Sequence, residues 1–379
     1  MDNNKWRIVN PTGLKRVIVT KELPGKRWLN ILTSAGCRVE IFSSVEVLSV
    51  EDIRKAIGLN CDGAIGQLTE SWGNELFSAL KSAGGKAYSN YAVGFNNIDL
   101  ASATSRGIPV GNTPGVLTET TAEMAVALTF AAARRIGESE RYLRAGKYKG
   151  WLPNLFLGEL LWRRTVGIIG AGRIGAAYAR MMMEGHRMNI LYYDPNPNTL
   201  LEKYALDYSN FLTDHNEQHV TCRQMETVEE LLRLADVVSI HTVLSESTQH
   251  LINAGRLAVM KKNAVLINTS RGPVIDEAAL VEHCRQNPDF KAGLDVFEEE
   301  PALKPGLKDL ENVVIVPHIA SATGWTRQGM AILAASNVAA VLMGYPVWNR
   351  PDITPFLGSD PPKASPSILN SGELGLHVF

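Results

Sequence analysis

The chain has 379 residues and a mass of 41.4 kDa, which at roughly 150 residues per domain leaves room for about two domains, each with its own core. Hydrophobic residues make up 45% and charged residues 20%, an ordinary globular composition far from collagen-like, disordered or coiled-coil extremes. Lys plus Arg number 38 against 39 Asp plus Glu, a net charge of -1, so no general field draws nucleic acid or an anionic lipid surface.

The four cysteines, Cys37, Cys61, Cys222 and Cys284, are scattered without C-x-x-C spacing, which predicts free thiols in a reducing compartment rather than a disulfide framework or a zinc site. No apolar run approaches the roughly 18 residues of a membrane span. The opening MDNNKWRIVNPTG lacks signal-peptide or transit character. The expectation is a soluble intracellular protein without a bound metal.

Short apolar runs alternate with helix-like stretches along the whole chain, which predicts an α/β fold with parallel strands joined by crossover helices. Arg16-Val17-Ile18-Val19, Val39-Glu40-Ile41-Phe42, Gly63-Ala64-Ile65-Gly66 and Lys86-Ala87-Tyr88-Ser89 read as strands, with helical spacing in Trp28 to Ala35 and Trp72 to Ala83. This is the pattern of one small doubly wound unit. Thr118 to Ala145, rich in Ala, Glu, Met and Leu and free of proline, is expected to form one long helix. A second α/β unit opens at Thr165-Val166-Gly167-Ile168-Ile169 and runs to Val313-Val314-Ile315-Val316.

Within that second unit, residues 196–223 read as a polar surface insertion without periodicity. Its His215 and His219 have H-x3-H spacing but no third ligand nearby, which favours a solvated loop over zinc. Trp325 to Met343 is again helical, and the proline-rich stretch that follows is expected to wrap a surface.

In TVGIIGAGRIGAAYARMM, Gly170, Gly172 and Gly175 have G-x-G-x-x-G spacing after an apolar strand and before an Ala-rich helix. That context reads as a dinucleotide site: Gly170 for the tight turn, Gly172 for approach to a pyrophosphate, Gly175 for close helix packing. The next strand ends in Asp194, which would accept the adenosine ribose hydroxyls and repel a 2′-phosphate, so NAD is expected over NADP.

Ligands in doubly wound sheets sit beyond the carboxyl ends of the strands. Arg271 follows Ala264 to Asn268, Glu300 follows Lys291 to Phe297, and His318 follows Val313 to Pro317. A guanidinium can hold an α-keto acid and polarise its carbonyl, and an imidazolium can protonate the oxygen as hydride arrives. A carboxylate on the other ring nitrogen fixes the tautomer. Glu300 fits that role.

Through the glycine loop, NTSRGPVIDE, GLDVFEEEP and VPHIASAT, in that order, the chain resembles the D-isomer-specific 2-hydroxyacid dehydrogenases over nearly its whole length. NPTG, PGKRW, YAVGFNNID, GNTPGVLTETTAE and GYPVW extend the resemblance to plant-type hydroxypyruvate-reducing members. The resemblance implies a Rossmann NAD-binding domain at 118–322 inserted into a flavodoxin-like substrate domain formed by 1–117 and 323–379. It also implies NADH-dependent reduction of hydroxypyruvate to D-glycerate, as in photorespiration, with glyoxylate to glycolate as a secondary activity.

By resemblance, Arg271 binds substrate and takes part in catalysis, Glu300 partners the base, and His318 gives or takes the proton. Asp295 holds the nicotinamide carboxamide, and Thr118, Arg173, Ile174, Thr242 and Ser270 line the cofactor. Val93 and Gly94 offer backbone N–H groups to the substrate carboxylate, and Trp151 reaches the substrate of a partner subunit in a homodimer.

Glu300 speaks against a formate dehydrogenase, which has Gln there. Reduction of another 2-keto acid, or an NAD-sensing corepressor without activity, are the alternative readings. The resemblance also implies a peroxisomal location, whereas the chain ends His377-Val378-Phe379 rather than Ser-Lys-Leu. That leaves a cytoplasmic location equally open.

Overall fold

The computed structural model describes residues 5–378; Met1 to Asn4 and Phe379, the last residue of the His377-Val378-Phe379 end, lie outside the described residues. The chain divides into two compact units, one of residues 1–117 and 322–379 and one of residues 118–321.

The first unit is built on strands β1 (Trp6–Val9), β2 (Lys15–Val19), β3 (Cys37–Phe42), β4 (Gly63–Gly66), β5 (Ala87–Asn90) and β6 (Val110–Gly111). Their order is β1-β3-β2-β4-β5-β6, with β1 antiparallel to β3 and the rest parallel. Without β1 this is the flavodoxin-like order. Val17, Ile18 and Val19 are fully buried, as strands covered by helices on both faces require.

The helix Gly324–Leu342 belongs to this unit, and the chain after it is pinned by buried polar side chains. Asn337 Nδ2 donates to Asn112 O (2.9 Å), and its Oδ1 accepts from Ser365 Oγ (3.0 Å) and Ser367 N (2.9 Å). Asn370 donates to Ile108 O (3.0 Å) and accepts from Val110 N (2.9 Å).

The second unit carries β7 (Thr165–Ile169), β8 (Asn189–Tyr193), β9 (Cys222–Gln224), β10 (Val237–Ile240), β11 (Val265–Asn268), β12 (Lys291–Leu294) and β13 (Val313–Ile315). All are parallel in the order β13-β12-β11-β10-β7-β8-β9, the Rossmann order with one further strand. The strand order reverses between β7 and β10. That switch point is where such sheets bind ligands.

Two expectations are corrected. Thr118 to Ala145 is not one helix but two, Thr118–Ala133 and Ile136–Arg144. Arg135 turns left-handed at φ 55 and clamps Glu138 with Nε and Nη2 at 2.7 and 2.8 Å, while Glu159 N–H takes Ala133 O at 2.9 Å and so caps the first helix.

Residues 196–223 are not an unstructured insertion. They hold the helix Thr199–Asp214 and β9, which make the crossover from β8. Asn198 caps the helix by accepting from Leu201 N, and Leu201, Ala205 and Leu212 bury one face.

All four cysteines are free thiols. Among the described residues, no cluster of His, Cys, Asp and Glu could hold a metal ion, and no helix is long and apolar enough to cross a membrane.

Candidate active site

The glycine loop follows β7 and opens the helix Arg173–His186. Gly170 has φ +94, and a Cβ there would lie 2.8 Å from the His241 carbonyl and Thr242 N, across the switch point. A Cβ on Gly175 would lie 2.1 Å from Gly170 O. Both positions exclude a side chain because backbone is already there.

Gly172 differs, because nothing lies within 4 Å of a Cβ built there, and it caps the helix without any side-chain bond. The helix N-terminus therefore has open space beside Gly172 and no side chain capping it, the arrangement that receives a phosphate. The backbone of Ala171 is held on both sides: its N–H donates to Asp194 Oδ2 (3.0 Å) and its carbonyl accepts from Asn198 Nδ2 (2.7 Å). Asp194 Oδ1 accepts from Asn196 N at 3.0 Å. These features fit a dinucleotide.

Across β11, β12 and β13 the parallel register aligns Asn268 with Leu294 and Leu294 with Ile315, so the three following loops emerge side by side. Asn268, 1% exposed, organises the first: its Oδ1 accepts from Ser270 N and Oγ (3.0 and 2.8 Å), and its Nδ2 donates to Arg271 O (2.9 Å). Arg271 is half-buried and donates from Nη1 to Ser270 O at 2.7 Å. Burial pulls its guanidinium below the ordinary value while Glu300 pulls it up.

His318 Nδ1 and Glu300 Oε2 pair at 2.9 Å, and Glu300 Oε1 accepts from Phe297 N at 3.0 Å. Burial raises the Glu300 carboxyl, but the bond and charge of His318, the Phe297 N–H and Arg271 outweigh it and hold it below the usual range.

Asp295 is fully buried, and its oxygens accept from Ile319 N (2.6 Å) and Ala320 N (2.9 Å) while its carbonyl accepts from His318 N (2.9 Å). Any bond from Asp295 to a carboxamide must use a second lone pair on an oxygen already holding this loop.

Arg271, Glu300 and His318 thus belong to adjacent loops at one sheet edge, with the last two in contact. The family model for the D-isomer specific 2-hydroxyacid dehydrogenase NAD binding domain matches residues 126–320. The chain is 59% identical to glycerate dehydrogenase HPR, peroxisomal, of Arabidopsis thaliana over 375 residues, 98% of this chain and 97% of that one.

The chain belongs to the D-isomer specific 2-hydroxyacid dehydrogenase family. It is therefore an NAD-dependent dehydrogenase of 2-hydroxyacids. It is also 41% identical to a glyoxylate reductase of Korarchaeum cryptofilum over 332 residues, 87% of this chain and 93% of that one. Among solved structures, the TT0316 protein from Thermus thermophilus matches with a TM-score of 0.76 and 38% identity, covering 87% of this chain and 97% of that one.

On the first unit of this dehydrogenase, the Ala92 carbonyl accepts from Thr113 N (3.0 Å) and the Val93 carbonyl from Asn112 Nδ2 (2.9 Å). Peptide planarity turns the Val93 and Gly94 N–H groups the opposite way. Trp151 is 80% exposed in the second unit, and Thr118 opens its first helix.

His241 was not among the expected residues, although it follows β10 as directly as the others follow their strands. Its Nε2 lies 2.8 Å from Ser239 Oγ, and burial pushes it down to about 3, so a neutral ring backs the glycine loop. Asn198 was missed for a different reason, since its role depends on the folded approach of Ala171.

Proposed function

We propose that the chain reduces hydroxypyruvate to D-glycerate with NADH, and glyoxylate to glycolate as a secondary activity. The observation that carries the chemistry is the His318–Glu300 pair at 2.9 Å, beside the loop of Arg271. The choice of substrate is supported by likeness to the Arabidopsis glycerate dehydrogenase, and the secondary one by likeness to the Korarchaeum glyoxylate reductase.

A bound nicotinamide supplies the hydride. Arg271 holds the keto acid and polarises its carbonyl through charge-assisted hydrogen bonds. Glu300 engages Nδ1 of His318 and orients the ring, which leaves Nε2 to give the carbonyl oxygen its proton. Gly170, Gly172, Arg173, Ile174 and Gly175 would hold the cofactor's phosphates, and Asp194 would take its ribose. Thr118, Thr242, Ser270 and Asp295 would line the cofactor, and the N–H groups of Val93 and Gly94 would be available to a substrate carboxylate.

Steady-state rates on hydroxypyruvate, glyoxylate and pyruvate, each with NADH and NADPH, test this reading. Arg271→Ala is expected to lose turnover and substrate affinity together, and His318→Ala to lose turnover, both with NADH binding intact. Full turnover in His318→Ala ends the mechanism, and equal use of NADPH ends the role given to Asp194.

A second copy of the chain is proposed to cover the apolar surface of Leu143, Trp151, Leu152, Leu157 and Leu160, all more than half exposed, with Trp151 meeting the partner's substrate. Trp151→Ala should then change selectivity between hydroxypyruvate and pyruvate. Likeness to the Arabidopsis protein, designated peroxisomal, supports that compartment. Imaging a fusion labelled away from the C-terminus checks it against the cytoplasm.

A further inference from the structure

We infer that Glu277, Glu298 and His250 form a clasp that positions Glu300 relative to Arg271, a role that rests on the catalytic reading above. The two segments concerned leave the neighbouring strands β11 and β12. They touch through backbone: a Cβ on Gly272 would lie 1.8 Å from Phe297 O. Backbone thus packs on backbone with no room for a side chain between, so the two segments are held against one another.

The clasp is reciprocal. Glu277 opens the helix Glu277–Gln286 and is 3% exposed. Its Oε2 accepts from Glu298 N (2.8 Å) and its Oε1 from Lys304 N (3.3 Å). Glu298 answers by accepting from Glu277 N at Oε2 (3.3 Å), and its Oε1 pairs with His250 Nε2 at 2.8 Å.

His250 spans both sides, because its own N–H donates to Pro273 O at 2.8 Å on the Arg271 segment. Lys304 Nζ completes the charge environment, 3.8 Å from Glu298 and 2.6 Å from Glu299.

A buried carboxylate is costly unless its lone pairs are satisfied. The donors shown for Glu277 are backbone N–H groups at 298 and 304, on either side of Glu300. Glu300 is in turn anchored to Phe297 N, one residue from the clasp. The network therefore fixes the distance between a guanidinium and the carboxylate that orients His318, and a small displacement of such groups is expensive in rate.

Glu277→Gln keeps the size of the side chain but can turn an amide toward the Glu298 N–H. The full chain carrying it is expected to show kcat for hydroxypyruvate reduced about 10-fold or more, with NADH affinity by fluorescence titration within about twofold of wild type. The pH profile of kcat/KM should move, and amide exchange at 298 and 304 should speed up while the glycine-loop amides stay protected. His250→Ala should lose part of the rate, and His250→Gln, which keeps a donor for Glu298, should regain it.

A folded Glu277→Gln enzyme with kcat within about twofold of wild type overturns the clasp. So does a fall in kcat with an equal loss of NADH affinity and an unmoved pH profile, which marks general destabilisation. If Glu277→Gln does not fold, the two His250 variants decide: equal rates in both overturn the proposal. His318→Ala is the control, because full turnover there sinks the catalytic reading itself, whereas its loss beside a normal Glu277→Gln sinks only the clasp.

Discussion

His318 has its backbone in the left-handed region at φ 51, where a residue with a Cβ is held only if its surroundings insist. Asp295 supplies that insistence through three bonds, two to its side chain and one to its carbonyl. Asp295→Asn keeps one acceptor and sets an amide against the second N–H. It is expected to cost about 1–3 kcal/mol, measured by urea denaturation, and to lower kcat.

Glu300 gives a pH signature. Its pKa is depressed below the ordinary 4.5, so its ionised form adds stability that is complete above that value and is lost as the pH falls through the depressed folded one. The difference in Tm between wild type and Glu300→Gln should therefore be full near neutrality and shrink as the pH falls below 4.5 through the depressed folded value. A difference independent of pH would show that the ionised carboxyl of Glu300 adds no stability.

At the scale of elements, the crossover helix Thr199–Asp214 reaches the glycine loop through Asn198, which caps the helix and also donates to Ala171 O. Asn198→Ala should weaken NADH binding several-fold and remove about 1 kcal/mol of stability, read by fluorescence titration and thermal melting.

The reason this helix was illegible in the sequence is physical. Its buried positions Leu201, Ala205 and Leu212 each have an exposed apolar neighbour, Leu200, Leu206 and Phe211, which blurs the periodicity that marks an amphipathic face. The break at Arg135 was hidden for a related reason. Alanine-rich sequence favours helix throughout, and the stop comes from Glu159 of a later segment taking the Ala133 carbonyl.

The glycine loop and the positions of Arg271 and His318 beyond their strands could be read from local spacing, whereas Glu300, inside the run Glu298-Glu299-Glu300, was singled out only by resemblance, through the Pro301 that follows it. Contacts such as Asp295 with residues 319 and 320, or Glu277 with Glu298, depend on register between β11, β12 and β13. No window of sequence contains that register.

At the scale of the whole molecule, exposed Leu157 and Leu160, 64% and 69% accessible, are among the apolar residues proposed to meet a second copy. Leu157→Glu combined with Leu160→Glu should shift the chain toward monomer in sedimentation velocity while leaving its melting cooperative. Unchanged sedimentation of a dimer would move the interface elsewhere.

The pinning of residues 365–370 into the first unit has a consequence for synthesis. Val110 offers its N–H to Asn370 and its carbonyl to Leu369 N, and Gly111 bridges Ile368, so the edge strand made early is completed only by residues made after the whole second unit. On a ribosome that emits the N-terminus first, the inserted nucleotide-binding half has all its strands in hand while the other half still waits for its closing segment. The inserted unit can then reach a native state as a finished body, and the first unit assembles around an edge that has stayed open for the length of more than two hundred codons.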